Sequence, residues 1–167
     1  LAVTGVQTCA LPIFSAFVAQ NIGAGQKARA KKGVRTAMVT GCTLGIFIFL
    51  AGFFGGTVMS ALFTNDMQVI LQSADYLKGF SVDCLLTCIL FSSIGYFNGC
   101  GKSIPVMIQG ITAAFCVRIP ISIFMASLPN TSLMMVGLAA PISTVYGIIF
   151  FIICFALERK KEHNRIR

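Results

Sequence analysis

Four long apolar blocks, almost free of charged residues, constrain the fold of this chain more than any other feature. They run roughly over residues 36–62, 69–97, 105–128 and 133–157. Each block is long enough to cross a bilayer as a helix, which takes about 20 residues. Of the 167 residues, 56% are hydrophobic and 11% charged, whereas about 25% of residues are charged in soluble domains. The sequence therefore predicts an all-α integral membrane protein with four full transmembrane helices.

A shorter apolar segment from Phe14 to Ile22 precedes these blocks and ends at glycines, which predicts the last turns of a fifth spanning helix. Residues 3–13, VTGVQTCALPI, resemble the translation of a sequencing-adapter oligonucleotide. We therefore interpret residues 1–13 as non-native. We expect residues 14–161 to be the C-terminal part of a longer membrane domain and residues 162–167 to be a basic cytoplasmic tail.

The basic residues cluster at the edges of the apolar blocks. The chain has 13 Lys and Arg against 5 Asp and Glu, a net charge of +8. The two clusters are Lys27, Arg29, Lys31, Lys32 and Arg35, and Arg159, Lys160, Lys161, Arg165 and Arg167. The turns near residues 64–66 and 129–132 have no basic residue. Under the positive-inside rule this pattern predicts a multi-pass protein of the cell membrane, in contact with lipid, with a cytoplasmic C-terminus. It does not indicate a nucleic-acid partner.

The first apolar block carries a stripe of glycines on one helical face. Its members are Gly41, Gly45, Gly52 and Gly56. Stripes of small residues let membrane helices approach closely, so we interpret this one as a packing face. A lining for a wide substrate passage is the alternative.

Asp83 is an acidic residue inside the second block, and Thr87 follows one helical turn later on the same face. An ionised carboxylate in hydrocarbon is costly and marks a functional site by default. A carboxylate beside a hydroxyl is suited to holding Na⁺ or to taking up a proton. If Asp83 instead lies near the outer interface, we expect it to pair with Lys78 or water.

The third and fourth blocks contain an arginine and two prolines. Arg118 lies deep in the third block, so we expect it to face the bundle interior and to find a partner there, Asp83 being one choice. Pro120 and Pro141 each remove a helical hydrogen bond, from the carbonyls of Cys116 and Gly137. Two broken helices in one small bundle indicate hinges, with static kinks as the alternative.

The sequence contains no recognisable catalytic or metal-binding motif. The cysteines are scattered, and only Cys84 and Cys88 share a helical face without a histidine nearby, which is too few ligands for a metal site. No nucleophile with a neighbouring base, paired catalytic carboxylates or cofactor motif is present. We expect no enzyme activity, no metal and no cofactor beyond Na⁺ or H⁺ as a coupling ion.

Three segments carry a family resemblance: Phe17–Ala30, Phe97–Ser103 and Val117–Pro120. They resemble parts of the multidrug and toxic compound extrusion (MATE) transporters. The segment from Phe17 to Ala30 is similar to the loop after their eighth helix, and Phe97–Ser103 to the loop after their tenth. In the second loop, Asn98 and Lys102 depart from the Arg-Gly-x-Gly-Asp-Thr-like sequence of many members. The segment from Val117 to Pro120 resembles the Arg-x-Pro of their eleventh helix.

This resemblance implies part of the second lobe of a twelve-helix, two-lobed exporter. Such proteins exchange Na⁺ or H⁺ for organic, often cationic, compounds by alternating access. It also implies that the missing N-terminal helices are partners of this chain. In some relatives a coupling acid lies on the tenth helix. Here that position falls near Thr87, so Asp83, one turn away, is expected to replace it.

Two other functions remain as alternatives. A lipid-linked oligosaccharide flippase of the same superfamily would move an anionic headgroup, and its pathway should hold several cations, yet only Arg118 and Lys78 lie within the helices. A small membrane scaffold working as four helices is the alternative from another class.

Overall fold

The computed structural model describes the backbone of residues 2–129 and 132–166 and the side chains of residues 11–129 and 132–160. Within these ranges the chain is helical, without a strand. The elements are α1 (Ala2–Gly23), α2 (Lys27–Ala61), α3 (Met67–Gly99), α4 (Ser103–Thr112), a π-helix (Ala113–Arg118), α5 (Ile119–Ser127), α6 (Leu133–Gly137) and α7 (Ala139–Ile166).

Four helical stretches are long and apolar enough to cross a membrane. They are Lys27–Ala61, Met67–Gly99, Ser103–Ser127 and Leu133–Lys160. The third stretch joins α4, the π-helix and α5, and the fourth joins α6 to most of α7. These stretches confirm the predicted all-helical architecture with four full spans. A shorter apolar stretch, Leu11–Gly23, lies in α1. The helical backbone of α1 does not distinguish native from non-native sequence, so the interpretation of residues 1–13 stays a prediction.

Helix α3 is the centre of the bundle and contacts α1, α2, α4, α6 and α7. The buried core is small and lies mostly where these helices meet, for example at Phe97 and Phe151, whose ring centroids are 5.1 Å apart. Many large apolar side chains point outward, including Phe54 at 74% exposure and Phe63 at 87%. An apolar exterior of this extent is what a helix needs where lipid replaces water.

Two similar turns lie at one end of the bundle, which we call the basic end. At the end of α1, the N–H of Gln26 donates to Asn21 (2.8 Å) and that of Gly25 to Ile22 (3.0 Å). At the end of α3, the backbone N–H of Lys102 donates to the carbonyl of Phe97 (2.9 Å), and that of Gly101 donates to the carbonyl of Asn98 (3.0 Å). Gly25 and Gly101 have φ of 74° and 71°, a conformation that favours glycine. Both turns are therefore Schellman caps that satisfy the last carbonyls of a helix.

The helices at the opposite end begin at polar caps. The Asp66 side chain accepts a hydrogen bond from the N–H of Gln68 at 2.9 Å and so caps α3. The Ser132 hydroxyl accepts one from the N–H of Met134 at 3.3 Å and caps α6. These side chains satisfy backbone donors that have no partner inside the helix, so the sequence starts both helices locally.

Candidate functional site

Asp83 lies at the middle of α3, sixteen residues from Met67 and sixteen from Gly99. At 1.5 Å per residue, each end of the helix is about 24 Å away. The carboxylate is partly buried and accepts a hydrogen bond from the hydroxyl of Thr144 on α7. Asp83 does not pair with Lys78, because the Lys78 ammonium pairs with Asp75 at 3.0 Å.

Thr144 is a buried residue that the sequence analysis did not identify. Its hydroxyl lies 3.2 Å from the Ala140 carbonyl oxygen as well as against Asp83. A hydroxyl has one proton, so it donates to one of these acceptors at a time. The structure does not bring the Thr87 hydroxyl into this contact, since that hydroxyl forms no hydrogen bond with any residue whose side chain is described. Thr144 therefore has the place beside Asp83 that we expected for Thr87.

The same part of α7 forms hydrogen bonds with the third span. Ser143, which is buried, donates to the carbonyl oxygen of Ala113 at 3.1 Å, where the π-helix begins. The Tyr146 hydroxyl donates to that of Thr112 at 3.0 Å, and Thr112 donates to the Ile108 carbonyl. Neighbouring residues of α7 thus bind α3 on one side and the third span on the other.

Helices α3 and α6 touch through backbone at a pair of glycines. A Cβ atom added to Gly137 would lie 2.6 Å from the carbonyl oxygen of Tyr76, and one added to Gly79 would overlap that of Met134. The span breaks directly after this crossing, because α6 ends at Gly137 and α7 begins at Ala139. The N–H of Ile142 still bonds Leu138 at 3.2 Å, but Pro141 offers no N–H to Gly137. The break therefore lies at the carbonyl that the sequence indicates.

Pro120 follows a π-helix rather than a simple kink. Residues Ala113–Arg118 form wide turns, and the N–H of Ile119 bonds the carbonyl five residues earlier, at Ala114. The expectation concerned the Cys116 carbonyl, whereas the change from α-helical bonding extends over Ala113–Arg118. A wide turn holds an additional residue, which rotates the following side chains about the helix axis.

Arg118, at the end of these turns, is exposed on the outside of the helices. Among residues with described side chains, the Arg118 guanidinium forms no hydrogen bond or ion pair, with Asp83 or any other. The expectation rested on the cost of a charge in hydrocarbon and took no account of helix geometry. The π-helix changes the direction that a regular α-helix would give this side chain. A partner for Arg118 inside a bundle remains a prediction.

The glycine stripe of α2 faces α3. A Cβ atom added to Gly41 would lie 3.3 Å from the Cβ of Cys88, and one added to Gly45 would lie 3.2 Å from the Cys84 carbonyl oxygen. The other two stripe members behave in the same way: the nearest atoms are Ser81 Oγ at 3.1 Å for Gly52 and Ala74 Cα at 3.4 Å for Gly56. The stripe thus lies in a helix contact and lines no passage between α2 and α3.

No group of three His, Cys, Asp or Glu side chains that could hold a metal occurs in the described part of the chain. The contact between α3 and α7 offers one carboxylate, Asp83, with one hydroxyl donor, Thr144, and both lie in helices that are long and apolar enough to cross a membrane. The sequence does contain a signal for the α7 side of this contact. Gly137, Ala140, Thr144 and Gly147 recur at spacings of three and four, so they form a small-residue face with one hydroxyl in it.

The family model MatE matches residues 4–124, which is more than half of the chain and includes Asp83 and Arg118. No curated protein and no solved structure matches the chain. The match agrees with the four apolar spans and with the resemblance of the loops at the basic end. The chain therefore belongs to the MatE family, the multidrug and toxic compound extrusion (MATE) transporters, which are membrane transporters rather than enzymes.

Proposed function

We propose that this chain is part of a secondary active exporter that moves organic, often cationic, compounds outward in exchange for Na⁺ or H⁺. We further propose that Asp83, held by Thr144, takes up the coupling ion. One observation carries the second proposal: a carboxylate at mid-span is bound by a hydroxyl of another helix. The family membership supports the first.

Ion uptake at Asp83 changes the bond between α3 and α7. An ionised carboxylate accepts a charge-assisted hydrogen bond from Thr144, and such bonds are roughly twice as strong as neutral ones. A proton or a Na⁺ on Asp83 neutralises that charge and weakens the bond. Since α7 is separated from α6 by the break at Leu138, it is able to tilt when the bond weakens. This provides a route from ion binding to a change of access.

In this proposal the remaining expected features have subsidiary roles. Thr87, one turn from Asp83, supplies a further oxygen when the ion is Na⁺. Pro120 and Pro141 mark the hinges of the third and fourth spans. Arg118 pairs with a group outside this chain, on the missing N-terminal helices or on the substrate. The basic clusters mark the cytoplasmic side under the positive-inside rule. The basic end therefore faces the cytoplasm in a cell membrane, and the C-terminus is cytoplasmic.

The test replaces Asp83 by asparagine in the complete transporter that contains this sequence. Vesicles loaded with a fluorescent organic cation are given a Na⁺ or pH gradient, and efflux is followed. Asp83→Asn keeps the size and a hydrogen-bond acceptor but cannot take up a proton or bind Na⁺ with a charge, so we expect gradient-driven efflux to stop. Asp75→Asn, which alters only the exposed pair with Lys78, is the matched control and should retain efflux.

Gradient-driven efflux that survives Asp83→Asn would refute Asp83 as the coupling residue. A complete transporter that moves no organic compound under either gradient, but moves a lipid-linked sugar, would refute the exporter itself.

A further inference from the structure

The first turns of α2 carry a dense positive charge. Lys31, Lys32 and Arg35 are exposed, and we call the surface that they form the α2 basic surface. Lys27 and Arg29 flank it, and Arg29 bonds the Gln26 side chain at 3.4 Å. The three central residues lie within an arc of about 100° around the helix, at 100° per residue.

The opposite side of these turns is fixed against α1. Ala30 is 1% exposed and Val34 9%, and both pack with Val18. At Gly33, an added Cβ atom would overlap the ring of Phe17. The rotation of α2 about its axis is therefore set by packing, and the α2 basic surface is directed away from the bundle.

No acid of the described chain neutralises this surface. Asp75 pairs with Lys78, Glu158 pairs with Lys102 at 2.5 Å, and Asp83 accepts from Thr144. Asp66 caps α3 at the opposite end of the bundle. Among residues with described side chains, Lys31, Lys32 and Arg35 form no ion pair.

The backbone of α2 adds to the positive potential. Its first turn contains no acidic residue, and Gln26 supplies no side-chain cap. The N-terminus of a helix carries a partial positive charge within its first turn, so the flanking cations Lys27 and Arg29 add to it instead of neutralising it. The described part of the chain therefore leaves a positive surface that a further negative group would stabilise.

The length of α2 places this surface at the level of lipid headgroups. Helix α2 has 35 residues, which corresponds to about 52 Å, whereas the hydrocarbon core of a bilayer is about 30 Å thick. The apolar part of α2 begins near Thr36, so the charged turns extend beyond the hydrocarbon. They extend over about 13 Å along the axis, the region where phosphate groups lie.

We propose that the α2 basic surface binds the phosphate headgroups of anionic phospholipids in the leaflet at the basic end. The occupant is a lipid rather than a free anion because the surface lies directly beside the start of a spanning segment. This inference is independent of Asp83 and of the transported compound.

The test measures lipid selectivity on this whole chain reconstituted in phosphatidylcholine vesicles. Spin-labelled phosphatidylglycerol and spin-labelled phosphatidylcholine report, by electron paramagnetic resonance, the fraction of lipid that the protein immobilises. The test variant is Lys31→Gln/Lys32→Gln/Arg35→Gln. We expect it to lose at least half of the preference for phosphatidylglycerol over phosphatidylcholine. High salt should remove the preference of the unmodified chain, since the Debye length falls to about 3 Å at 1 M.

Two further variants are matched controls. Lys31→Arg/Lys32→Arg/Arg35→Lys keeps the charge and should keep the preference, which separates lost charge from lost folding. Arg159→Gln/Lys160→Gln/Lys161→Gln removes the same charge from the C-terminal end and should retain most of the preference.

Three results would overturn the proposal. One is an unchanged preference in the glutamine variant of α2. Another is an equal loss in the C-terminal variant or in the charge-conserving variant. The third is displacement of the lipid by inorganic phosphate beyond the effect of chloride at the same ionic strength, which would identify a site for a soluble anion.

Discussion

Replacing Gly79 by alanine tests the close backbone contact between α3 and α6. The added Cβ atom would overlap the carbonyl oxygen of Met134 and lie 3.2 Å from the carbonyl carbon of Gly137. Both are backbone atoms of α6, so no side-chain rotation relieves the contact, and α3 and α6 must separate.

The size of the effect follows from two opposing contributions. Overpacking of a well-packed contact costs about 1–3 kcal/mol. Alanine in place of glycine inside a helix gains about 0.8–1.0 kcal/mol. The net expectation for Gly79→Ala is a destabilisation of about 0–2 kcal/mol, the difference of these two. For a chain of this size that corresponds to a fall in Tm of up to roughly 8 °C.

The assay is thermal unfolding of the detergent-solubilised chain, followed by helical circular dichroism. Gly55→Ala is the matched control, because Gly55 also lies inside a spanning helix and an added Cβ atom there meets nothing within 4 Å. Its Tm should stay constant or rise, since only the helix-propensity gain remains. Equal Tm values for Gly79→Ala and Gly55→Ala would show that the backbone contact between α3 and α6 does not exist in solution.

Two more predictions concern single side chains. Thr144→Val removes the donor to Asp83 and should destabilise the chain by about 1–3 kcal/mol in the same assay, whereas Thr144→Ser keeps the hydroxyl and should lose less; equal losses would contradict the hydrogen bond. Burial raises the pKa of the Cys100 thiol above its ordinary value, against the lowering effects of Tyr96 and Lys102. Because the thiolate is the reactive form, iodoacetamide labelling of Cys100, measured by peptide mass spectrometry, should reach its half-maximal rate at a higher pH than labelling of free cysteine; a midpoint at or below that of free cysteine would contradict this.

The sequence predicted what depends on neighbouring residues along the chain. The four spans follow from uninterrupted apolar length, and the turn glycines Gly25 and Gly101 mark helix ends because they adopt positive φ. The break after Gly137 follows from the missing N–H of Pro141. Each of these features depends only on residues that are close in sequence, so it could be predicted without knowledge of any contact between helices.

The contacts between helices required the tertiary structure. Asp83 was recognised as a candidate site residue, but its partner Thr144, which is distant in sequence, was not. A helix that is apolar on every side gives no period from which to read which face meets a neighbour. Helical spacing favoured Thr87, which lies on the same helix as Asp83. Thr144 lies on another helix, and only the relative rotation of α3 and α7 brings its hydroxyl to Asp83.

Arg118 shows the same limit within a single span. Its direction depends on the π-helix at Ala113–Arg118, and an additional residue in a turn rotates all following side chains. Hydrophobicity thus determined from the sequence alone that this chain is a set of membrane-spanning helices. The rotation and close approach of those helices, set by contacts such as Gly79 with Gly137, decided which polar groups meet.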